Sequence, residues 1–236
     1  YIAPAPYHAM YDTGQILPPV RSAAEQCDPH PVYGAFMASR VARNFSRDDI
    51  RMRVVPAYMG LIKQIDDQIG VLMRFLAERG LLDSTMLAFT SDHGDYLGDH
   101  WLGEKDLFHD CSAKVPLIVV DPSREEDGSR GRVCDALEAA IALAPTFVRW
   151  FGGEPKPHVV EGRALQPLLH GDATAPPDWR RFAFSEYDYA MMPARRTLGT
   201  GVSDSRLFMV FDGRWKYVHA PGFRPTADVA PKPIRP

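Results

Sequence analysis

A long amphipathic helix is the clearest structural signal in the sequence. Between Ser46 and Gly80, apolar side chains recur at steps of three and four residues, which predicts a helix whose apolar face packs on a sheet. Ser46 is the predicted N-cap, and Gly80 is placed to end the helix directly after Arg79. Pro56 lies inside the pattern, so we expect either a kink at this proline or a helix that begins near it.

Two short apolar runs follow this helix and predict strands. They cover residues 84–90 and 115–120 and are typical of buried strands in a parallel sheet. An alanine-rich stretch over residues 135–150 predicts another helix, in which Pro145 marks a break or a first turn. This alternation of helices and apolar strands predicts an α/β fold with a mostly parallel sheet flanked by helices.

The two ends of the chain differ from this central part. Residues 1–45 are rich in Pro, Tyr and Gly and predict a loop-rich segment. Near the other end, alternating residues and an Asp212-Gly213 turn predict a small antiparallel β subdomain that contains a hairpin. The chain therefore divides into three predicted segments: the main α/β domain at 1–178, the β subdomain at 179–222 and an extended, proline-rich tail at 223–236.

Charge and hydropathy argue against two broad classes of partner. The 27 Lys and Arg residues face 30 Asp and Glu residues, for a net charge of −3, so bulk attraction to nucleic acid or to an anionic membrane is not expected. The longest apolar run falls far short of the ~20 residues of a membrane span. Three widely spaced cysteines without a CxxC pair favour a reducing, cytoplasmic location. Residues 1–7 show neither an initiator Met nor a signal peptide, so we expect further residues upstream.

The sequence Asp92-His93-Gly94 directly follows the first predicted strand. Ligands of α/β sheets bind beyond the carboxyl ends of strands, and a carboxylate beside an imidazole suits a divalent cation. We expect Gly94 to let the backbone turn sharply beside the ion. Lys105, which follows a glycine-containing loop, is placed to meet a tetrahedral oxyanion bound there. The alternative interpretation is that Asp-His-Gly is only a turn after a strand.

Several further motifs occur in a fixed order around this tripeptide, and from about residue 58 to residue 171 the chain resembles the sulfatase family of the alkaline phosphatase superfamily. These motifs are Ile65-Asp-Asp-Gln-Ile-Gly70, Thr90-Ser-Asp-His-Gly94, Lys105, His109-Asp-Cys-Ser-Ala-Lys-Val-Pro116, Ala144-Pro-Thr146 and Gly162-Arg-Ala-Leu165. Within the family, the segments 1–7 and 104–109 are most similar to the phosphonate monoester hydrolase and phosphodiesterase branch. The motifs correspond to the C-terminal half of such an enzyme.

The resemblance implies a site and a chemistry. It implies that Asp92 and His93 are ligands of one divalent metal ion, Mn²⁺ or Ca²⁺ before Zn²⁺ or Fe²⁺, and that His93 and Lys105 are catalytic residues. Lys105 is also expected to bind the oxygens of a small phosphonate, phosphate or sulfate ester. His109 and Asp110 occupy positions that fix the loop after the lysine. The family allows a homo-oligomer, and no interface is readable in the sequence.

The nucleophile that the family uses is not in this sequence. Such enzymes carry a Cys-or-Ser-x-Pro-x-Arg motif whose first residue becomes formylglycine, and Cys27-Asp-Pro-His-Pro31 has Pro31 in place of the arginine. The resemblance therefore assigns the nucleophile to an N-terminal half outside this chain. Three alternatives stay open: an arylsulfatase or other sulfuric ester hydrolase, a truncated fragment without activity, and a metal-dependent phosphomutase of the same superfamily.

Other polar and cysteine residues have simpler interpretations. Histidines without ligand spacing are expected in loops or on the surface: His8, His30, His100, His158, His170 and His219. The basic residues Arg195, Arg196 and Lys216 are expected on a solvated face. Cys111 and Cys134 lie in apolar contexts and are expected to be buried.

Overall fold

The computed structural model describes residues 1–124, 130–170 and 175–222; the predicted tail at 223–236 lies outside these residues. Short 3-10 turns join the regular elements. The helices of the described residues are α1 (Ala23–Cys27), α2 (Pro31–Met37), α3 (Arg40–Phe45), α4 (Asp48–Glu78), α5 (Asp110–Ala113), α6 (Leu143–Trp150), α7 (Gln166–His170) and α8 (Pro193–Leu198). The strands are β1 (Leu87–Thr90), β2 (Leu117–Val120), β3 (Ala183–Asp188), β4 (Arg206–Phe211) and β5 (Lys216–His219).

Helix α4 confirms the long helix that the apolar spacing predicts. Its N-cap is Arg47 instead of Ser46, and two aspartates in its first turn face the positive end of the helix dipole. It runs through Pro56, so the alternative of a helix that starts near the proline is wrong. At the other end Arg79 is the C-cap, and Gly80 adopts φ +64°, the left-handed conformation that terminates helices.

The apolar face of α4 is covered only in part. Val55, Pro56 and Gly60 are buried, where the helix packs on the turn Tyr7–Ala9. A Cβ at Gly60 would lie 2.2 Å from the Tyr7 carbonyl oxygen, so this close approach requires glycine. Beyond Gly60 the side chains of Ile62, Ile65 and Leu72 are about half exposed. The expectation that this whole face packs on a sheet is therefore wrong for the described residues.

Strands β1 and β2 occur where two apolar runs predict them, but their direction differs. They pair antiparallel, with Leu87 opposite Val120 and Thr90 opposite Leu117. The expectation of parallel strands is therefore wrong for this pair. The connection over residues 91–116 is long enough for either direction, so its length did not decide the pairing. The side chains of both strands are largely exposed, which also corrects the expected burial.

The C-terminal part confirms a small antiparallel sheet, in the order β3-β4-β5. The β4–β5 connection spans four residues, since Phe211 pairs with Lys216, so it is longer than the predicted two-residue turn. Asp212 closes it by accepting the backbone N–H groups of Arg214 and Trp215. The fold is α/β with helices and small antiparallel sheets, as in the sulfatase-type structures described below. The segment boundaries 1–178 and 179–222 stay predictions.

Residues 1–45 contain three short helices that the loop-rich prediction missed. Their signals were local: a capping box of Ser22 with Glu25 before α1, Pro31 at the first turn of α2, and Ser39 capping α3. These helices contribute to one core with the C-terminal sheet and with residues 96–108. The buried members of this core are Val32, Ala35, Phe36, Ala42, Tyr96, Leu102, Phe108, Tyr189, Ala194, Leu207 and Met209.

A second, smaller core lies beside one face of the β1–β2 sheet, where Val119 projects. Ala142, Leu165 and Trp179 are buried there, and Val119 of β2 packs against them. Pro145 lies in the first turn of α6, as predicted, while residues 132–139 are not helical. Within the described ranges, no helix has the length and apolarity needed to cross a bilayer.

Candidate active site

Asp92 and His93 lie just beyond the carboxyl end of β1, whose last residue is Thr90. Oδ1 of Asp92 accepts the backbone N–H of His93 at 2.9 Å, and this hydrogen bond lowers the pKa of Asp92. The other oxygen, Oδ2, lies 3.5 Å from Nε2 of His93. The Asp92 side chain is 85% exposed and that of His93 is 39% exposed, so both are accessible to an ion and a substrate.

The orientation of the His93 ring suits a metal ligand. Nδ1 lies 2.8 Å from the carbonyl oxygen of Gly94, which can only accept, so the proton is assigned to Nδ1 and Nε2 keeps a free lone pair. Two ligand atoms at ~2.0–2.2 Å from one ion, at right angles, lie about 3 Å apart. The Nε2–Oδ2 separation is close to that value. Across residues 1–124, 130–170 and 175–222, no group of three His, Cys, Asp or Glu side chains surrounds one point.

Gly94 is required for a reason other than the expected sharp turn beside the ion. Its φ is not positive, so the backbone conformation itself does not demand glycine. Instead, its N–H donates to the Ser112 carbonyl at 2.8 Å, and a Cβ would lie 2.0 Å from the Cys111 carbonyl oxygen. The close approach of residues 94 and 111–112 places the start of α5 beside Asp92 and His93.

Residues 94–109, here called the site loop, join the Asp92-His93 pair to α5 and carry Lys105. Six residues of this loop other than glycine have positive φ angles, which are rare for side chains with a Cβ. They are Leu97 (47°), His100 (52°), Trp101 (59°), Glu104 (58°), Asp106 (101°) and Leu107 (56°). Such a conformation persists only where surrounding contacts enforce it.

Arg51 of α4 supplies one of those contacts. It is 7% exposed, its Nε donates to the Leu97 carbonyl at 3.0 Å, and its Nη2 donates to the Leu17 carbonyl at 2.7 Å. Gly98 and Gly103 allow the loop to lie close to its support. A Cβ at Gly98 would lie 3.0 Å from the Arg51 side chain, and one at Gly103 would lie 2.2 Å from the Phe45 ring.

A histidine pair supports the loop from inside. The rings of His100 and His109 stack at 4.0 Å, Nδ1 of His100 contacts Glu25 at 2.7 Å, and Nδ1 of His109 contacts the buried Tyr96 hydroxyl at 2.9 Å. Burial lowers the pKa of His109 to about 3, so this ring is neutral and shares one hydrogen bond with the Tyr96 hydroxyl. His100 lies in a loop, as predicted, but its side chain is only 22% exposed and contacts Glu25.

The C-terminal sheet supports the loop from a third side. Nζ of Lys216 donates to the Phe108 carbonyl at 2.9 Å and pairs with Asp110, and the Tyr187 hydroxyl donates to Asp106. The Lys216 side chain is only 17% exposed, so its expected place on a solvated face is wrong. Cys134 is exposed, which corrects its expected burial.

Lys105 itself is exposed and extends from this supported loop toward solvent. Burial raises the pKa of Asp106; the hydrogen bond from Tyr187 and the nearby charges of Lys105 and His93 oppose that rise. One carboxylate therefore lies within electrostatic reach of both Lys105 and His93. The grouping of Lys105 with Asp92 and His93 in one site stays a prediction. A cationic side chain near a carboxylate and an imidazole would suit an anion bound beside a metal ion.

Sequence reasoning placed His109 and Asp110 at this loop but missed Arg51, Tyr96 and His100, which also hold it. Arg51 had a usable signal, because it falls four residues before Val55 on the apolar face of α4, where a charged side chain needs a specific partner. Tyr96 and His100 had no such sequence signal, because the stacking of two rings nine residues apart depends on the irregular backbone between them.

Known proteins are similar to this chain in sequence and in fold. Residues 3–153 match the family model named Sulfatase. The chain belongs to the sulfatase family. This sulfatase-family chain is 31% identical over 234 residues to the multifunctional alkaline phosphatase superfamily protein PehA of Trinickia caryophylli, covering 93% of this chain and 45% of that protein. It is also 31% identical over 160 residues to N-acetylglucosamine-6-O-sulfatase of Bacteroides thetaiotaomicron, covering 66% and 27%.

A solved structure extends the comparison to the fold. The phosphonate monoester hydrolase SpPMH from Silicibacter pomeroyi superimposes with a TM-score of 0.82 and 31% identity, covering 93% of this chain and 45% of that one. The chain therefore spans less than half the length of these relatives. Over the matched part it shares the fold of a phosphonate monoester hydrolase of the alkaline phosphatase superfamily.

Proposed function

We propose that this chain forms part of the active site of a metal-dependent hydrolase of phosphonate and phosphate esters, in which Asp92 and His93 hold the metal. The observation that carries the proposal is the pair of free ligand atoms, Asp92 Oδ2 and His93 Nε2, at 3.5 Å from each other beyond the end of β1. The backbone hydrogen bond at Nδ1 leaves Nε2 unprotonated for this purpose. Membership of the sulfatase family supports the same reaction class and favours it over a phosphomutase.

Asp92 and His93 would hold a divalent ion, which would supply Lewis-acid chemistry: the polarisation of a tetrahedral ester and a lower pKa of the attacking group. One carboxylate oxygen and one imidazole nitrogen suit Mn²⁺ or Ca²⁺ first, and Zn²⁺ or Fe²⁺ next. Asp92 keeps its negative charge because the His93 N–H lowers its pKa. Both side chains are held in position without reorganisation, since each uses its second polar atom in a hydrogen bond to the backbone.

Lys105 serves as the oxyanion donor in this proposal. Its ammonium group balances the negative charge that develops on the ester oxygens as the bond to the leaving alcohol breaks. The site loop fixes the backbone position from which the Lys105 side chain extends, because the loop is held by Arg51, by the histidine pair and by the C-terminal sheet. Asp106 lies near both Lys105 and His93 and orients the lysine by charge.

The nucleophile is proposed to come from a segment outside this chain. The sequence contains no Cys-or-Ser-x-Pro-x-Arg motif, and the relatives are more than twice as long as the part this chain matches. One hydroxyl of a hydrated formylglycine in that segment would attack the phosphorus or sulfur atom as the bond to the leaving alcohol breaks. The covalent intermediate would then collapse through the second hydroxyl, which releases the phosphonate, phosphate or sulfate and leaves an aldehyde that water hydrates again. On its own the chain is expected to be inactive.

Phosphorus esters are the first substrate class because SpPMH, by its name, is a phosphonate monoester hydrolase. Sulfate esters are the second, because another relative is named as an N-acetylglucosamine-6-O-sulfatase. Both classes present similar tetrahedral oxyanions to Lys105 and to the ion. The proportion of the two activities is decided by the rest of the pocket.

The test is turnover by the intact reading frame that contains this chain, with an aryl phosphonate monoester, a phosphodiester and an aryl sulfate as substrates. Lys105→Ala should lower kcat by about 10² to 10³, as expected for one oxyanion donor. Lys114→Ala is the matched control, since Lys114 is also exposed and lies outside the site loop. Its kcat should equal that of the wild type. Unchanged turnover in Lys105→Ala would remove the lysine from the mechanism.

A further inference from the structure

Residues 17–25, here called the strap, lie against the tip of the site loop. The backbone N–H of Val20 donates to Oδ1 of Asp99 at 2.8 Å. The carbonyl oxygen of Val20 accepts the backbone N–H of His100, also at 2.8 Å. One strap residue is thus bonded through its main chain to two consecutive residues of the loop.

Side chains add two further contacts between the strap and the loop tip. Nε1 of Trp101 donates to the Ser22 carbonyl at 2.7 Å. Oε1 of Glu25 lies 2.7 Å from Nδ1 of His100, and Oε2 of the same carboxylate accepts the Ser22 N–H at 2.7 Å. Glu25 therefore ties the loop to the backbone of the strap, and each residue of the tip, 99–101, has a hydrogen bond to the strap.

The strap is anchored in turn to the first turn of α4. Nη2 of the buried Arg51 donates to the Leu17 carbonyl at 2.7 Å, and Arg21 forms an ion pair with Asp48, the first residue of the helix. The Arg21 guanidinium also lies 4.4 Å from the centre of the Trp101 ring, a cation–π contact. The strap therefore connects the tip of an irregular loop to the longest regular element of the chain.

The loop tip requires such support because its backbone is strained. His100 and Trp101 have φ angles of 52° and 59°, and side chains with a Cβ keep this conformation only where surrounding contacts enforce it. Both residues are bonded directly to the strap. The strap is therefore one of the contacts that enforce the conformation of the tip.

Two backbone hydrogen bonds carry the position of the tip to the base of the loop. The Gly98 N–H donates to the Leu102 carbonyl at 3.0 Å, and the Tyr96 N–H donates to the Glu104 carbonyl at 2.8 Å. Lys105 follows Glu104 directly in the sequence. A shift of the tip therefore displaces the backbone from which the lysine side chain extends.

We propose that the strap is a positioning element for Lys105, which sets where the ammonium group meets the oxyanion by holding the tip of the site loop. The inference rests on the proposed function, because it requires Lys105 to act on the ester. A displacement of about 1 Å can lower turnover by about 10², so a contact far from the reacting atoms can affect the rate. Asp99, Trp101 and Glu25 do not touch the ester in this account and act only through the lysine.

The experiment is a double-mutant cycle in the intact reading frame, with the ester that the wild type turns over fastest. Asp99→Ala removes the acceptor of the Val20 N–H and should lower kcat about tenfold, with a change in KM of less than about twofold. Asp99→Asn keeps an acceptor oxygen and should restore most of the lost turnover. In the Lys105→Ala background, Asp99→Ala should lower kcat by less than about twofold, because no lysine is left to position.

Hydrogen exchange supplies a reading that does not depend on turnover. The amides of Tyr96 and Gly98 close the base of the loop, and in Asp99→Ala they should exchange about tenfold faster than in the wild type. The measurement uses the same intact proteins, and thermal unfolding shows that each variant is folded.

Trp101→Phe is a milder variant, which removes only the indole donor to Ser22 and keeps a ring beside Arg21. It should change kcat and loop exchange in the same direction, and it replaces Asp99→Ala in the cycle if that variant does not fold. Trp215→Phe is the matched control, since Trp215 also lies beside an arginine but outside the strap and the loop. Its kcat and loop exchange should equal those of the wild type.

Two results would overturn the proposal. An equal fall in kcat on Asp99→Ala with and without Lys105 would mean that the strap acts on something other than the lysine. Unchanged exchange of the Tyr96 and Gly98 amides in folded Asp99→Ala would mean that the strap does not hold the loop. Unchanged turnover in Lys105→Ala alone would contradict the proposed function, and with it the positioning of a catalytic lysine, even where the exchange rates show that the strap holds the loop. The two failures are therefore distinguishable.

Discussion

The site loop contrasts with the apolar stripe of α4, which here means Ile62, Ile65 and Leu72, in both backbone strain and burial. The loop consists of strained backbone on the surface, yet buried groups from three sides hold it: Arg51, the ring of His109 and Lys216. The stripe is regular helix, the least strained structure available, yet its apolar side chains face solvent. The strained backbone of the loop is thus held by contacts within the described residues, whereas the exposed apolar side chains of α4 are not covered by them.

The largest effect is expected at Gly94, on the loop side of this comparison. In Gly94→Ala the added Cβ would meet the Cys111 carbonyl at 2.0 Å, and backbone on both sides prevents a small adjustment. We expect the free energy of unfolding to fall by about 3 kcal/mol or more, as measured by urea denaturation. A loss below about 1 kcal/mol would show that residues 94 and 111 are not held together.

Arg51→Met should have the next largest effect. The substitution leaves the Leu97 and Leu17 carbonyls without their buried donor, and we expect a loss of about 2 to 4 kcal/mol. Arg53→Met is the control on the same helix, because Arg53 is exposed, and it should change stability by less than about 0.5 kcal/mol. Equal effects at the two positions would contradict the role of Arg51 in holding the loop.

The dependence of stability on pH tests the histidine pair. The pKa of His109 is lowered to about 3 by burial in the fold, whereas the unfolded chain titrates near 6.5. The unfolded state therefore binds the proton first, and this contribution to stability is complete above about pH 6.5 and is lost as the pH falls toward 3.

His109→Gln keeps a hydrogen-bonding group for the Tyr96 hydroxyl but does not titrate. The difference in unfolding free energy between wild type and His109→Gln should shrink between about pH 8 and pH 5. Measuring the difference cancels the opposite contributions of Asp95 and Asp106, whose pKa values are raised by burial. A difference that does not change with pH would mean that His109 titrates normally in the fold.

The smallest effect is expected on the stripe side, at Gly70. A Cβ there would lie 3.7 Å from Arg74, an ordinary contact, and the residue lies inside α4. Gly70→Ala should stabilise the chain by about 0.5 to 1 kcal/mol because alanine favours the helix. The same change at Gly60, where Tyr7 packs closely, should instead destabilise it. Identical outcomes at both positions would remove the difference between the packed and the open part of α4.

Much of the fold follows from local pattern, and the exceptions have physical causes. The bounds of α4 follow from apolar spacing, first-turn aspartates and a terminal glycine, all of which act within a few residues. The antiparallel direction of β1 and β2 does not follow from local pattern, because short apolar runs look the same in parallel and antiparallel pairs. The assignment of Asp92, His93 and Lys105 to a site follows from residue type and order and stays a prediction. The contacts of Arg51 with Leu17 and Leu97 could not be predicted, because these residues are distant in sequence. The stacking of His100 on His109 could not be predicted either, because it depends on the irregular backbone between them.

The central claim is that Asp92 and His93 hold a divalent ion. The most direct measurement is the metal content of the intact reading frame, determined by mass spectrometry of the purified protein after growth with Mn²⁺. Wild type and His158→Ala, a variant of an exposed histidine outside the site, should retain about one ion per chain. Asp92→Ala and His93→Ala should lose most of it while remaining folded. Full metal content in His93→Ala would contradict the assignment.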